Sequence, residues 1–204
     1  MAVTDISQLP SSLLRFFVEE EHARQFVAGK VRFGILEYYR GIEGKRKDAN
    51  EGRSSVYFKA PQLVHATYTS LNRYYILCTA HPEANIPALM KKYGRFVVRI
   101  DSPIVLLERI KVAWQIHALA VDRGAFVTDV EYTKDELREP DPYFHSPPHL
   151  VYSQKPRSEQ DDREYRYLLK CKVDVKRAWE NHLTLTLPDC GDICSAVTVE
   201  EQAV

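Results

Sequence analysis

The run LRFFVEEEHARQFVAGKVRFGILEYYRGIEGKRKDANEGR, residues 14–53, sets the expectations for the whole chain. Leu13 to Val18 is apolar apart from Arg15, the pattern of a buried first strand. Glu19-Glu20-Glu21 then opens a helix: acids suit its positive end, Ala23, Phe26 and Val27 share a face, and Gly29 ends it. From Lys30 to Leu36 the chain alternates Val31, Phe33 and Ile35 against Lys30, Arg32 and Gly34, so a half-buried strand is expected with Arg32 pointing away from the core. Glu37 to Arg53 is dense in charge and holds three glycines, which suits a functional or mobile loop and not a core element.

The distant partner of this run is Asp162-Arg163-Glu164-Tyr165-Arg166. Between Arg163 and Val173 the residues alternate cleanly. Tyr165, Tyr167, Leu169, Cys171 and Val173 are expected on the core face, and Glu164, Arg166, Leu168, Lys170 and Lys172 on the other. Further strands are expected over Ser54–Ala66 with a break at Pro61, Arg73–Thr79, Phe96–Ile100, Ala125–Tyr132, His182–Leu187 and Ser195–Val199. A short helix fits Ala84–Tyr93 with Leu89 and Met90 inward, and Pro103–Trp114 has a mixed pattern. Thr133 to Pro156, which holds EPDPYFHSPPHLVYSQKP, reads as a long ordered loop, proline-stiffened, or a lid. Many short strands with few helices imply an α+β fold with a mainly antiparallel sheet.

Bulk properties narrow the classes. The 204 residues suit one domain over 1–204, with a core at about 13–173 and C-terminal strands or tail at 174–204. Twenty-eight basic and 28 acidic residues give zero net charge, which disfavours global capture of nucleic acid or an anionic membrane. Lys45-Arg46-Lys47 and Arg157 could still line a local track. The first residues lack the basic-then-apolar order of a signal peptide, and no apolar run reaches spanning length, so a cytoplasmic protein is expected. Cys190 and Cys194, with His182 upstream, have too loose a spacing to argue for zinc; Cys78 and Cys171 read as scattered reduced thiols. No phosphate-binding glycine loop, dinucleotide fingerprint, zinc-protease helix or serine-hydrolase elbow is present. His65, His81, His117, His145 and His149 are too dispersed for a metal site.

Three segments in order carry a likeness. LLRFF with the Ala-Gly-ended helix and VRFGILEYYR resembles the opening of ADP-ribosyltransferase-fold proteins; YYILCTAHPEANIPALMKKYGRFVVRID resembles the middle of a small bacterial branch; SEQDDREYRYLL resembles its late Glu-x-Arg strand. The likeness spans about residues 13–172. It implies split β-sheets around an NAD-binding cleft, with NAD as substrate and no metal. The reaction implied is transfer of ADP-ribose to a macromolecular acceptor (protein, DNA or RNA) with release of nicotinamide. Glu164 takes the place of the catalytic glutamate and Arg15 that of the first-strand Arg or His. Arg15, Phe16, Arg32, Tyr38, Tyr39, Arg53 and Arg166 form the candidate NAD-binding set. Thr79 stands where a serine is common, and Asp162 where arginine-modifying members carry Gln or Glu; this leaves the acceptor open. A bacterial toxin or anti-phage role follows from the same likeness, and for a toxin an inhibitory antitoxin partner.

The residue chemistry bears on this separately. Cleaving the nicotinamide–ribose bond develops positive charge on the ribose, which a neighbouring carboxylate stabilises. Guanidinium groups at Arg15 and Arg32 suit a pyrophosphate, and a tyrosine at 38 or 39 suits a stacked ring. The plainer reading is of Glu164 and Arg166 as cross-strand ion pairs on a solvated strand face, in a non-catalytic module binding nucleotide or protein. A nuclease or other hydrolase would need an acidic metal cluster, and Asp48, Glu51 and Glu164 do not make a convincing one.

Overall fold

The computed structural model describes residues 9–35, 53–60, 62–69, 73–133, 137–138, 154–172 and 181–197, with 53–60, 62–69 and 137–138 described through their backbone. The loop expectation at 37–52, and with it Tyr38, Tyr39, Asp48 and Glu51, lies outside the described residues, as do His145, His149 and most of the proline-rich segment. The architecture is α+β with a mainly antiparallel sheet.

Eight strands form the main sheet: β1 (Leu13–Phe17), β2 (Lys30–Ile35), β5 (Tyr74–Ala80), β6 (Phe96–Ile100), β7 (Ala120–Asp129), β11 (Glu164–Cys171), β12 (His182–Thr186) and β13 (Cys194–Val197). The strands expected within 174–204 join this sheet: β12 pairs with β2 and β13 with β6, at two of its borders. Two small sheets accompany it. β3 (Arg53–Ala60) pairs antiparallel with β4 (Gln62–Thr69) and parallel with β9 (Leu137–Arg138). β8 (Glu131–Thr133) pairs parallel with β10 (Gln154–Pro156).

β5 is the hub. One of its edges pairs continuously with β11, from Lys170↔Tyr74 to Glu164↔Ala80. The other edge is divided: β2 pairs at Ile35↔Tyr75 and Gly34↔Ile76, and β1 pairs at Leu14↔Ala80. Between those two contacts, over Leu77–Thr79, neither β1 nor β2 is in register with β5. The Arg15 guanidinium enters this gap, and its Nη1 donates to the Cys78 carbonyl that the missing strand leaves free.

The sheet is covered on both faces, and the period-2 alternation of its strands sorts the side chains. Leu13, Val31, Phe33, Ile35, Tyr75, Leu77, Val98, Ile100, Tyr167, Leu169 and Cys171 meet two helices in the larger core. One is α1 (Glu20–Val27), which contributes Ala23 and Phe26. Eight residues are too few for a stable isolated helix, so burial of Phe26 (on the order of 2 kcal/mol) outweighs the exposed Glu20–Arg24 and Glu21–Gln25 pairs on its outer face. The other is α3 (Pro103–Gln115), burying Leu106, Leu107, Ile110 and Trp114. This resolves the mixed pattern of that stretch as a helix started by Pro103 at its first position.

The opposite face carries Leu14, Phe16, Ala80 and Val97 beneath α2 (Ile86–Tyr93), which contributes Leu89. The Asn85 side chain accepts from Ala88 N at 3.2 Å to cap α2. Gly94 ends it at φ +130, where a Cβ would stand 2.2 Å from the Phe17 backbone, so only glycine lets the turn approach β1. On this face too lie Tyr74, Ile76 and Leu168, and beyond them Arg166 and Glu164.

Candidate functional site

Glu164 is the first residue of β11 and Ala80 the last of β5, so the Leu14–Ala80–Glu164 rung stands at the end of the sheet. The face around it is not solvated, which corrects the plainer sequence reading. Glu164 is 6% exposed and Arg166 fully enclosed. Arg166 Nε donates to Glu164 Oε1 at 2.6 Å, an intrastrand pair made possible because residues two apart share a face.

The other carboxylate oxygen meets a residue to which no sequence pattern pointed. Lys155, on β10, places Nζ 2.8 Å from Glu164 Oε2 and 2.9 Å from Glu159 Oε2. Glu159 and Asp162 belong to the 3-10 turn Arg157–Asp162, which runs from β10 toward β11. Lys92 from α2 reaches Asp162 Oδ2 at 2.7 Å and Glu159 Oε2 at 3.4 Å, and Tyr93 OH donates to Asp162 Oδ2 at 2.7 Å. Among the described residues, three basic side chains (Lys92, Lys155, Arg166) thus meet three acidic ones (Glu159, Asp162, Glu164). From β8, the Tyr132 hydroxyl oxygen accepts from Glu164 N at 2.8 Å.

Electrostatics follow from this geometry. Burial pushes the Glu164 carboxyl toward the neutral form, but the charges and hydrogen bonds of Arg166 and Lys155 reverse that and hold it well below the usual carboxylate range. For Lys155, burial favours loss of the proton, and Glu164 more than restores it, so its pKa is raised. Glu159 is lowered, its burial being outweighed by Lys155 and Lys92. Tyr132 and Tyr93 are raised chiefly by burial, with Glu164 adding to it.

The expected site residues are distributed as follows. Arg15 is half-buried on β1, 5.5 Å over the Phe17 ring, and its Nε is enclosed without a partner among the described residues. Leu14, not Arg15, shares the rung with Ala80 and Glu164, so Arg15 and Glu164 leave the sheet on opposite faces. Thr79 is buried on the Arg15 face and donates to Tyr165 O at 3.1 Å. Phe16, expected at the ligand, is 8% exposed and packs beneath α2 as a core residue. Arg32 is exposed on β2, as the alternation indicated. Arg53 begins β3, and its side chain lies outside the described residues. Near the rung, His81 and Tyr165 form a half-buried ring pair with centroids 6.3 Å apart.

Cys78, Cys171, Cys190 and Cys194 form no disulfide, and the last three are buried. Among the described residues no group of three or more His, Cys, Asp or Glu is placed to hold a metal ion. No helix among them is long and apolar enough to cross a membrane. Lys155 and Tyr132 gave no signal in the sequence: each is the middle residue of a three-residue strand, and the pairing of β8 with β10 brings both to Glu164. Comparison with protein-family models, curated proteins and solved structures returned no match.

Proposed function

We propose that the chain is an NAD-dependent ADP-ribosyltransferase acting on a macromolecular acceptor, with Glu164 as its catalytic carboxylate. The observation that carries this reading is the convergence of Arg15, Thr79 and Glu164 onto the adjacent strands β1, β5 and β11 at one end of the sheet. These are the positions the family likeness singles out. Arg15 and Cys78 are 63 residues apart in the chain, Thr79 and Tyr165 86 apart, so local sequence alone does not bring them together.

The chemistry asked of the site is modest. The bond between ribose C1 and the nicotinamide nitrogen breaks, and nicotinamide leaves with the electron pair. An acceptor nucleophile bonds to C1 and gives up its proton to water. Glu164 stabilises the cationic ribose; it is ionised, and two of its roughly four lone-pair sites remain after Arg166 and Lys155 have each taken one. Arg15 supports the anionic end of the ligand, since one guanidinium N–H is spent on Cys78 and Nε has no described partner. A ligand touching both residues would run past the Ala80 rung, because they emerge on opposite faces. A toxin or anti-phage role, with an inhibitory partner, belongs to the same proposal.

A second reading has its own observation. Glu164 is 6% exposed with both oxygens engaged, which suits a non-catalytic module in which the carboxylate is an internal tie. The test is incubation with adenylate-labelled NAD and lysate, following label in protein and nucleic-acid fractions and nicotinamide release. Transfer that disappears in Glu164→Gln, with that variant still folded, supports the enzyme. Folded protein that binds NAD without turnover supports the module. Absence of NAD binding removes the enzyme and the nucleotide-binding module, and leaves a protein-binding one.

A further inference from the structure

We propose that Lys155 is a positioning residue for Glu164, delivered with Tyr132 by the small β8–β10 sheet so that the carboxylate is held charged and in one orientation. As a statement about catalysis this rests on the ADP-ribosyltransferase reading; as a statement about Glu164 it stands on geometry. Two short parallel strands, in register from Gln154↔Glu131 to Pro156↔Thr133, supply a grip at two points. The Tyr132 oxygen takes the Glu164 amide proton, and Lys155 Nζ takes Oε2. Arg166 already fixes Oε1 from within β11.

Lys155 is itself fixed. Its side chain is 7% exposed, and Glu159 Oε2 engages the ammonium at 2.9 Å with Asp162 Oδ2 at 3.9 Å. Two of its three donors thereby have carboxylate partners within hydrogen-bond distance. The titratable groups around Glu164 are Arg166 on its own strand, Cys78 on β5, Tyr132 on β8, Lys155 on β10, Glu159 and Asp162 on the turn and Tyr93 on α2. Arg166 and Lys155 are the chief groups that lower its proton affinity, against the burial that raises it. Losing Lys155 leaves a buried carboxylate with one cation and a free oxygen. Removing Lys155 alone costs stability whether or not it positions Glu164, so the titration of Glu164 and the acid limb of turnover, not stability, separate the two roles.

The experiment is a carbon-13 NMR titration of protein labelled at its glutamate side-chain carboxyls, with Glu164 assigned through Glu164→Gln. Wild type, Lys155→Met and Lys155→Arg are compared between pH 7 and the acid limit of folding, beside NAD turnover over the same range. In Lys155→Met the Glu164 signal is expected to titrate at least about one pH unit higher, tenfold in proton affinity, and Lys155→Arg to restore it. The acid limb of turnover should move with it. An unmoved Glu164 titration in folded Lys155→Met overturns the proposal. A moved titration without NAD turnover in wild type keeps the grip on Glu164 and removes the enzyme reading. Should Lys155→Met not fold, Lys155→Gln, which keeps a polar side chain but removes the charge, carries the same test: an upward shift supports the proposal and none overturns it.

Discussion

Lys155 Nζ and Glu164 Oε2 meet at 2.8 Å with each side chain 7% exposed, and through this contact β10 is tied to the head of β11. An exposed pair of the same geometry, such as Arg24–Glu20 at 2.7 Å on α1, lies in water that screens it. The two contacts therefore separate what distance alone would equate.

Removing one partner from the buried pair should show this. Lys155→Met is expected to cost about 3 kcal/mol in urea unfolding, because it leaves a charge enclosed. In a double-mutant cycle with Glu164→Gln, a coupling of about 1–3 kcal/mol is expected. Arg24→Ala should leave the midpoint within experimental scatter. Equal effects at the two sites would show that burial is not what sets the strength of the Lys155 contact.

Stability should fall on the acid side. The folded-state pKa values of Glu164 and Glu159 are both depressed. Below about pH 5 the unfolded chain takes up protons at these carboxylates while the folded protein does not, so unfolding is favoured as pH drops. Each group adds up to about 1.4 kcal/mol per pH unit below its unfolded value of roughly 4.3. Lys155 is raised, so its contribution is present throughout this range. Urea midpoints measured from pH 6 to pH 3 should decline, and decline less steeply in Glu164→Gln.

Gly94→Ala is expected to destabilise by at least about 2 kcal/mol, combining a positive φ with a Cβ driven into the Phe17 carbonyl. Thermal melts of this variant and of Val112→Ser, at an exposed α3 position, make the comparison. A Gly94→Ala protein as stable as wild type would mean that the α2–β1 approach can open without loss.

The four thiols should alkylate slowly in the folded protein. Cys171, Cys190 and Cys194 are buried; burial and the nearby Cys190 push Cys194 up to about 12, and burial with Glu164 raises Cys78 further. Mass spectrometry after iodoacetamide at pH 7.5 is expected to find little modification until denaturant is added, then four adducts.

Elements with a single clean period were legible in the sequence. α1 and β2 lie where the residues indicated because each has one buried and one largely exposed face; β5 does so as an uninterrupted apolar run buried on both faces, and β11 because its alternation separates the larger core from the Glu164 face. α3 was obscured for the opposite reason: Ile104, Val105, Val112 and Ile116 are apolar but exposed, and they fill the side that would have marked the helix as amphipathic. The alternation placed Glu164 and Arg166 together on the face away from the larger core, yet could not reveal that α2 and the 157–162 turn cover it. That covering is a matter of long-range register. Lys155 in particular sits in a proline-rich stretch with no period of its own, and its role appears only once β10 has found β8.

The hub strand also dictates an order of events during synthesis. β1 and β2 are made before β5 and can dress one of its edges as soon as it emerges, whereas the partner for its other edge, β11, begins at Glu164. Thr79 must wait 86 residues for Tyr165, on the order of 5–20 seconds at ordinary ribosomal rates. Throughout that interval YYILCTA, an uncharged apolar strand, presents a bare line of amide groups. A nascent chain stalled before β11 is therefore a sticky intermediate, and β11 acts as the internal chaperone of β5.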